Sequence, residues 1–409
     1  MRKSLSVLLS LAAFVTLQFS NSAEAAAPPA PEKEWTMLVF LNGHNNLDSF
    51  GAEDINEMER VGSSSDINIV VQWASLQSDT TKRVFVTRDN NTNDVSSVTV
   101  QDLPRVDMGD YRNLVEFIRW GAANFPAKHY FVDVWNHGSG WRMLLNGNRG
   151  NRVMSGGVSA SDISFDDITS NVITTEQLGK AMDEASAIIG RKIDIYGSDA
   201  CLMGMAEVGN EMVNSVKVMV GSQELEPGDG WPYDELLIEW SKKPKASARE
   251  VAKMLTEAYL KSYANNGTTT GLTLSAVDLE KMQDLNRAVS GLTDSIKKTN
   301  ASEKKKILEI ANRAQAFYYN DYIDLGDFVS LLAKENLLQI DSRVTGQIQD
   351  SMKEYVISSK NSSDYAKASG TSFWFPTSRE VLDSYLDRYK GLKFHAETGW
   401  AEALQHLHN

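Results

Sequence analysis

The chain has 409 residues, of which 42% are hydrophobic and 23% charged, and its net charge is −13. That balance is ordinary for a globular protein, and the negative charge argues against a nucleic-acid partner, whose phosphates would repel it. A single cysteine, Cys201, excludes any intramolecular disulfide.

Residues 1–25 read as a signal peptide. Arg2 and Lys3 form a positive start, Leu5 to Phe19 an apolar run, and Ala23 to Ala25 an A-x-A cleavage site. No later segment approaches the ~20 apolar residues that span a bilayer. The mature protein is therefore expected to be exported, periplasmic or secreted, without a membrane span. Residues 26–34, "AAPPAPEKE", read as a flexible linker.

From residue 35 apolar runs alternate with helical patterns. Trp35–Leu41, Ile67–Trp73, His129–Trp135, Lys192–Gly197 and Val216–Ser222 read as buried strands. "RVFVTRD" and "SSVTV" read as a hairpin. Asp54–Val61, Tyr111–Phe125 and "TEQLGKAMDEASAI" read as helices, and another helix is expected to begin near Ala200. Strand–helix alternation with continuous apolar strands implies an α/β fold, its mostly parallel sheet covered on both faces. The main core is assigned to residues 35–270. Residues 271–409 read as a largely helical region with a late strand at Gly370–Pro376, packed on the core or completing its sheet. The polar stretch Asn146–Asp167 is too long for an ordinary connection, and such loops are functional or disordered.

Two segments share one format, a buried strand followed by a polar turn with a reactive side chain. One is "HYFVDVWNHGSGW", with His137 just past the strand; the other is "KIDIYGSDACLMG", with Cys201 just past its own. Ligands of open α/β sheets bind at the carboxyl ends of the strands. If the two strands are parallel neighbours, thiol and imidazole share one rim, the arrangement of thiol nucleophilic catalysis. Gly138 would let substrate approach the backbone, and its N–H would help to bind an oxyanion. A helix starting near Ala200 would put Cys201 in its first turn, where the dipole favours thiolate, with Asp199 as the N-cap. A free cysteine is most often a small buried hydrophobe, but an exported protein that keeps one thiol past a strand end points to a working group. His44 and the remaining histidines show no pairing pattern and are read as surface or packing residues. Glu224, Glu226 and Asp229 read as a solvated acidic loop, or as a rim for cationic substrates or a weak calcium site. Trp231 reads as core packing, a lid or a pocket wall.

"NHGSGW" and "GSDACLMG" resemble the histidine and cysteine motifs of the clostripain family of cysteine peptidases, in the clan of caspases, gingipains and legumain. "WTMLVFLNGHNNLD", "GSQELEPGDGWPYDELL", "YIDLGDFVSLL" and "ASGTSFWFPTS" are similar to further signatures of that family, in the right order across nearly the whole mature chain. The resemblance implies a caspase-like fold and an endopeptidase cleaving peptides or proteins after Arg or Lys. It implies Cys201 as nucleophile, His137 as catalytic histidine, Gly138 with the Cys201 N–H as oxyanion hole, and Asp199 in the pocket for the residue before the scissile bond. It also implies self-cleavage in the loop after His137, where Arg149 and Arg152 are the candidates. Calcium is left open as a cofactor, since the sequence carries no EF-hand pattern or other strong ligand spacing. A monomer is expected. The rival readings are a non-catalytic binding protein on the same fold, a thiol amidase on small substrates, and a periplasmic solute-binding protein, whose two similar lobes the helical C-terminal part does not match.

Overall fold

The computed structural model describes residues 31–142 and 162–409. The signal segment and the candidates Arg149 and Arg152 lie outside the described residues. Numbered in chain order, nine strands form a central sheet. They are β1 (Lys33–Gly43), β2 (Ile67–Ser75), β3 (Thr80–Phe85), β4 (Val98–Pro104), β5 (Ala127–Trp135), β8 (Ile193–Asp199), β9 (Val216–Gly221), β10 (Thr273–Asp278) and β12 (Val356–Asn361). Two short hairpins stand apart: β6 (Ile163–Asp166) with β7 (Asn171–Ile173), and β11 (Tyr322–Asp324) with β13 (Ser372–Trp374). The sheet order is β12-β10-β9-β8-β5-β1-β2-β3-β4. Neighbours from β9 through β2 pair parallel, and both flanks are antiparallel.

The parallel centre has apolar residues on both faces, as a sheet buried on both sides requires. In β1, Leu38 and Phe40 belong to one core and Met37, Val39 and Leu41 to the other. The first core takes α2 (Tyr111–Asn124), α3 (Thr175–Ile189) and α4 (Ala206–Glu211); the second takes α1 (Asp48–Glu59), α5 (Tyr233–Ser241) and α6 (Ala248–Asn265). Each fully buried Leu, Ile or Phe side chain on these faces contributes about 1.5–3 kcal/mol. Local signals fix the helix ends. Thr174 and Gln177 form a capping box before α3, and Gly190 stops it with a left-handed φ of 79°.

Of the C-terminal region, β10 and β12 extend the central sheet, and the late strand β13 pairs β11 beside it. Two expectations are corrected. β1 begins at Lys33, so the last two residues assigned to the linker are strand. No helix begins at Ala200. Leu202 takes a left-handed φ of 65°, the N–H groups of Leu202 and Gly204 bond Glu224 O and Ser222 O, and α4 starts only at Ala206. Pairing with the chain after β9 replaces helical bonds here. Among the described residues no helix is long and apolar enough to cross a membrane.

Candidate active site

β5 and β8 are parallel neighbours, with Trp135 opposite Asp199. His137 lies two residues past the first and Cys201 two past the second, so both leave the sheet at one edge. They line a single cleft of about 320 Å³ with Asn46, Phe50, Asp199, Glu226 and Gly230. The two turns meet backbone to backbone. A Cβ on Gly138 would lie 2.4 Å from Cys201 O and 3.1 Å from the Ala200 Cβ. Glycine is thus needed for the approach of the two turns, not for the approach of substrate as the sequence suggested. Asn136 ties the rim further: its N–H bonds Asp199 O at 3.1 Å, and its side chain bonds Asn42 O and Phe165 N.

The C-terminal signatures brace both turns. Tyr322 donates to Ser139 O at 2.9 Å, and Ser372 N–H to Gly204 O at 3.0 Å. Asp324 accepts from Gln223 and Ser369. These strands therefore hold the reactive turns although they stand outside the central sheet.

Cys201 is half-buried, and its Sγ accepts the Glu226 N–H at 3.2 Å. Without a helix there is no dipole to favour thiolate. Burial pushes the thiol up to about 12, with the carboxylates of Glu226, Glu224 and Asp199 adding to the rise. Burial lowers the His137 imidazole to about 4. At neutral pH both groups are uncharged, so the free site holds thiol and base rather than a thiolate–imidazolium pair. Iodoacetamide alkylation of Cys201 in the free protein should then rise about tenfold per pH unit from pH 6 to 9. A plateau across that range would reveal a preformed ion pair.

His137 Nε2 lies 2.8 Å from Asn46 Oδ1. An amide oxygen only accepts, so Nε2 carries the proton and Nδ1 is the basic nitrogen. Asn46 thus orients the imidazole and sets its tautomer. It escaped sequence reading because its partner lies 91 residues away. His44, read as a surface or packing residue, is buried with Nδ1 2.8 Å from Asp166 Oδ2. That pair ties the Asn46 turn to β6, with Asn42 and Asn45 both bonding Phe165 O.

Asp199 is no N-cap. It ends β8 with its carboxylate buried, Oδ2 accepting from Trp231 N–H at 3.1 Å and Tyr233 OH at 2.8 Å. Burial raises it above the usual carboxylate range, to about 6, and the bonds from Trp231 and Tyr233 hold that rise down. The same Tyr233 hydroxyl reaches Asp133 Oδ2 at 2.8 Å. Burial and the charge of Asp199 raise Asp133 to about 8, which keeps it protonated beneath the pocket. Trp231 is fully buried against Gly197 and is core, not lid. The Gly138–Ile163 bridge uses the N–H of Ser139 and of Ser164. Among the described residues neither the Gly138 nor the Cys201 N–H has a protein acceptor.

The acidic loop is not a solvated cluster. Glu224 is buried and bonds Tyr365 OH and Leu225 N–H, Glu226 turns into the cleft, and only Asp229 is exposed. The carboxylates diverge, and among the described residues no three His, Cys, Asp or Glu side chains could hold a metal ion together. Glu224, Glu226 and Asp229 therefore do not converge on a metal site, and no step is routed through calcium. Arg142 is anchored, paired with Asp321 and stacked on Tyr319 and Tyr385.

The model of the clostripain family, Peptidase_C11, matches residues 39–407. Clostripain from Hathewaya histolytica is 24% identical, over 80% of this chain and 73% of that protein. A secreted C11 cysteine protease from Bacteroides thetaiotaomicron, solved with an irreversible peptide inhibitor, gives a TM-score of 0.65 at 20% identity, covering 90% of this chain and 99% of that one. An inactive zymogen C11 protease from Parabacteroides distasonis gives 0.67 at 18% identity, with the same coverage. At these identities the solved structures establish the fold.

Proposed function

The chain belongs to the clostripain family of cysteine peptidases, and on that premise we propose an exported endopeptidase that cleaves after Arg or Lys through Cys201 and His137. The observation that carries this reading is the buried carboxylate of Asp199 in the same cleft as a thiol and an imidazole. A buried carboxylate without an ion pair among the described residues suits a cationic side chain, which would favour its ionised form and supply the missing countercharge.

In the proposed mechanism Sγ of Cys201 attacks the carbonyl carbon while its proton passes to Nδ1 of His137. The N–H groups of Gly138 and Cys201 face the developing oxyanion. The imidazolium then protonates the leaving amine as the C–N bond breaks, leaving a thioester. Water attacks the thioester as His137 takes its proton; the acid departs and the thiol is restored. The printed description of the Bacteroides thetaiotaomicron neighbour as secreted supports export. That of the Parabacteroides distasonis neighbour as an inactive zymogen supports activation by cleavage. Cleavage is assigned to the loop after His137, following Arg149 or Arg152. Mass spectrometry of active protein should find two chains with a junction at one of these residues; an intact mature chain with full activity would refute self-processing.

The test of the whole reading is a panel of peptide reporters with Arg, Lys, Asp or Ala before the cleaved bond, with and without calcium. Arg and Lys reporters should turn over and the other two should not. Equal turnover of Ala and Arg would remove Asp199 from the specificity pocket.

A further inference from the structure

Glu226 is the one loop residue that touches the nucleophile and also turns its side chain into the cleft. Its N–H donates to Cys201 Sγ, and its carboxyl lies in the pocket against Asp199. Both carboxyl oxygens are buried, and among the described residues no protein donor bonds either of them. The indole N–H of Trp231 is close, but outside hydrogen-bonding geometry. Asp199 takes its own bonds on Oδ2, which leaves Oδ1 for a ligand. Asp54 lies across Gly230 from Asp199, and Asp133 shares Tyr233 with it. Among the described residues none of these four carboxyls has an ion-pair partner. Facing two acceptors in a buried site is costly unless a proton or a cation sits between them. Burial and the neighbouring Asp199 carboxylate hold Glu226 well above its ordinary value, so in the free protein a proton stands between the two groups, where a bound cation would stand instead.

We propose that Glu226 and Asp199 form a two-carboxylate clamp on the cationic end of the substrate residue before the scissile bond, Glu226 determining specificity in its own right. This rests on the basic-residue specificity proposed above. Two carboxylates with free oxygens suit a guanidinium, which presents its donors in a planar fork and sheds water more readily than an ammonium. The clamp therefore favours Arg over Lys. Because Glu226 also bonds Sγ through its backbone, the loop that grips the cation also seats the sulfur.

The test uses peptide reporters that differ only in Arg, Lys or citrulline before the cleaved bond; citrulline keeps the shape of Arg without its charge. Glu226→Gln keeps a donor toward Asp199 but cannot ionise. The ratio of kcat/KM for Arg over citrulline should fall about 10- to 100-fold in Glu226→Gln, and the Arg over Lys ratio should fall with it. A ratio within about twofold of the starting protein would overturn the clamp. Should Glu226→Gln fail to fold, Glu226→Asp carries the same test. It keeps the charge but withdraws it by one methylene, and the Arg over citrulline ratio should drop severalfold; an unchanged ratio overturns the proposal equally. If the unmodified protein does not distinguish Arg from citrulline, the basic-residue specificity itself fails, a result separate from either variant outcome.

Discussion

Cys201→Ala should lower peptide turnover on the order of 10⁴- to 10⁶-fold, the loss seen when a covalent nucleophile is removed. The side chain is small and half-buried, and its polar contacts are to the backbone N–H and O of Glu226. Alanine leaves no large cavity, so the fold should survive and the loss should be chemical. His137→Ala should cost about 10²- to 10⁴-fold in kcat, the usual range for a positioned general base. The structure makes this second loss informative. With the thiol pushed up to about 12, Cys201 has almost no thiolate at neutral pH, so attack depends on a base. His137, held down to about 4 by burial, remains an unprotonated base through the acid range. The acid limb of kcat/KM in the free enzyme should therefore fall well below the ordinary histidine value of about 6.5. The sign follows from burial. The neutral imidazole is the favoured form in the cleft, so protonation, and with it loss of activity, is deferred to lower pH. A limb near 6.5 would place His137 in a wetter, more exposed setting than the cleft gives it.

Asp199→Asn should lower kcat/KM for Arg reporters by about 10- to 100-fold, since a charge-assisted bond is worth about 1.5–3 kcal/mol. The amide oxygen still accepts from Trp231 N–H and Tyr233 OH, so the rim should keep its shape. The loss should be confined to cationic substrates, and reporters with citrulline should change far less. Urea unfolding should show a small shift. Equal losses on charged and neutral reporters would mean that Asp199 shapes the cleft and does not read charge.

The parallel strands were legible because strands buried on both faces read as continuous apolar runs. Met37–Leu41, Ile69–Val71 and Val218–Val220 announce themselves in that way. The turn after β8 was misread. Ala200 to Glu207 has helical composition, but the positive φ of Leu202 and the bonds to Ser222 and Glu224 are tertiary facts that no local propensity records. β12 was absorbed into a helical pattern because "VISSKN" is polar and follows Ser342–Tyr355 directly. At the site, the strand-turn format placed His137, Gly138, Asp199 and Cys201 on one rim. The partners Asn46, Asp133 and Tyr233 lie on other elements, and spacing along the chain carries no trace of them. The thiol's chemical state was also out of reach, because it depends on burial and on three carboxylates brought in by folding.

In the proposed reaction Sγ of Cys201 forms a covalent bond to the carbonyl carbon following a basic residue. Acid-quenching the mature protein during turnover of an Arg ester, and mapping the adduct by peptide mass spectrometry, would trap that bond. An acyl mass on the peptide that contains Cys201, absent from Cys201→Ala, is the expected result. Turnover with no acyl mass on that peptide, or undiminished hydrolysis by Cys201→Ala, would contradict it.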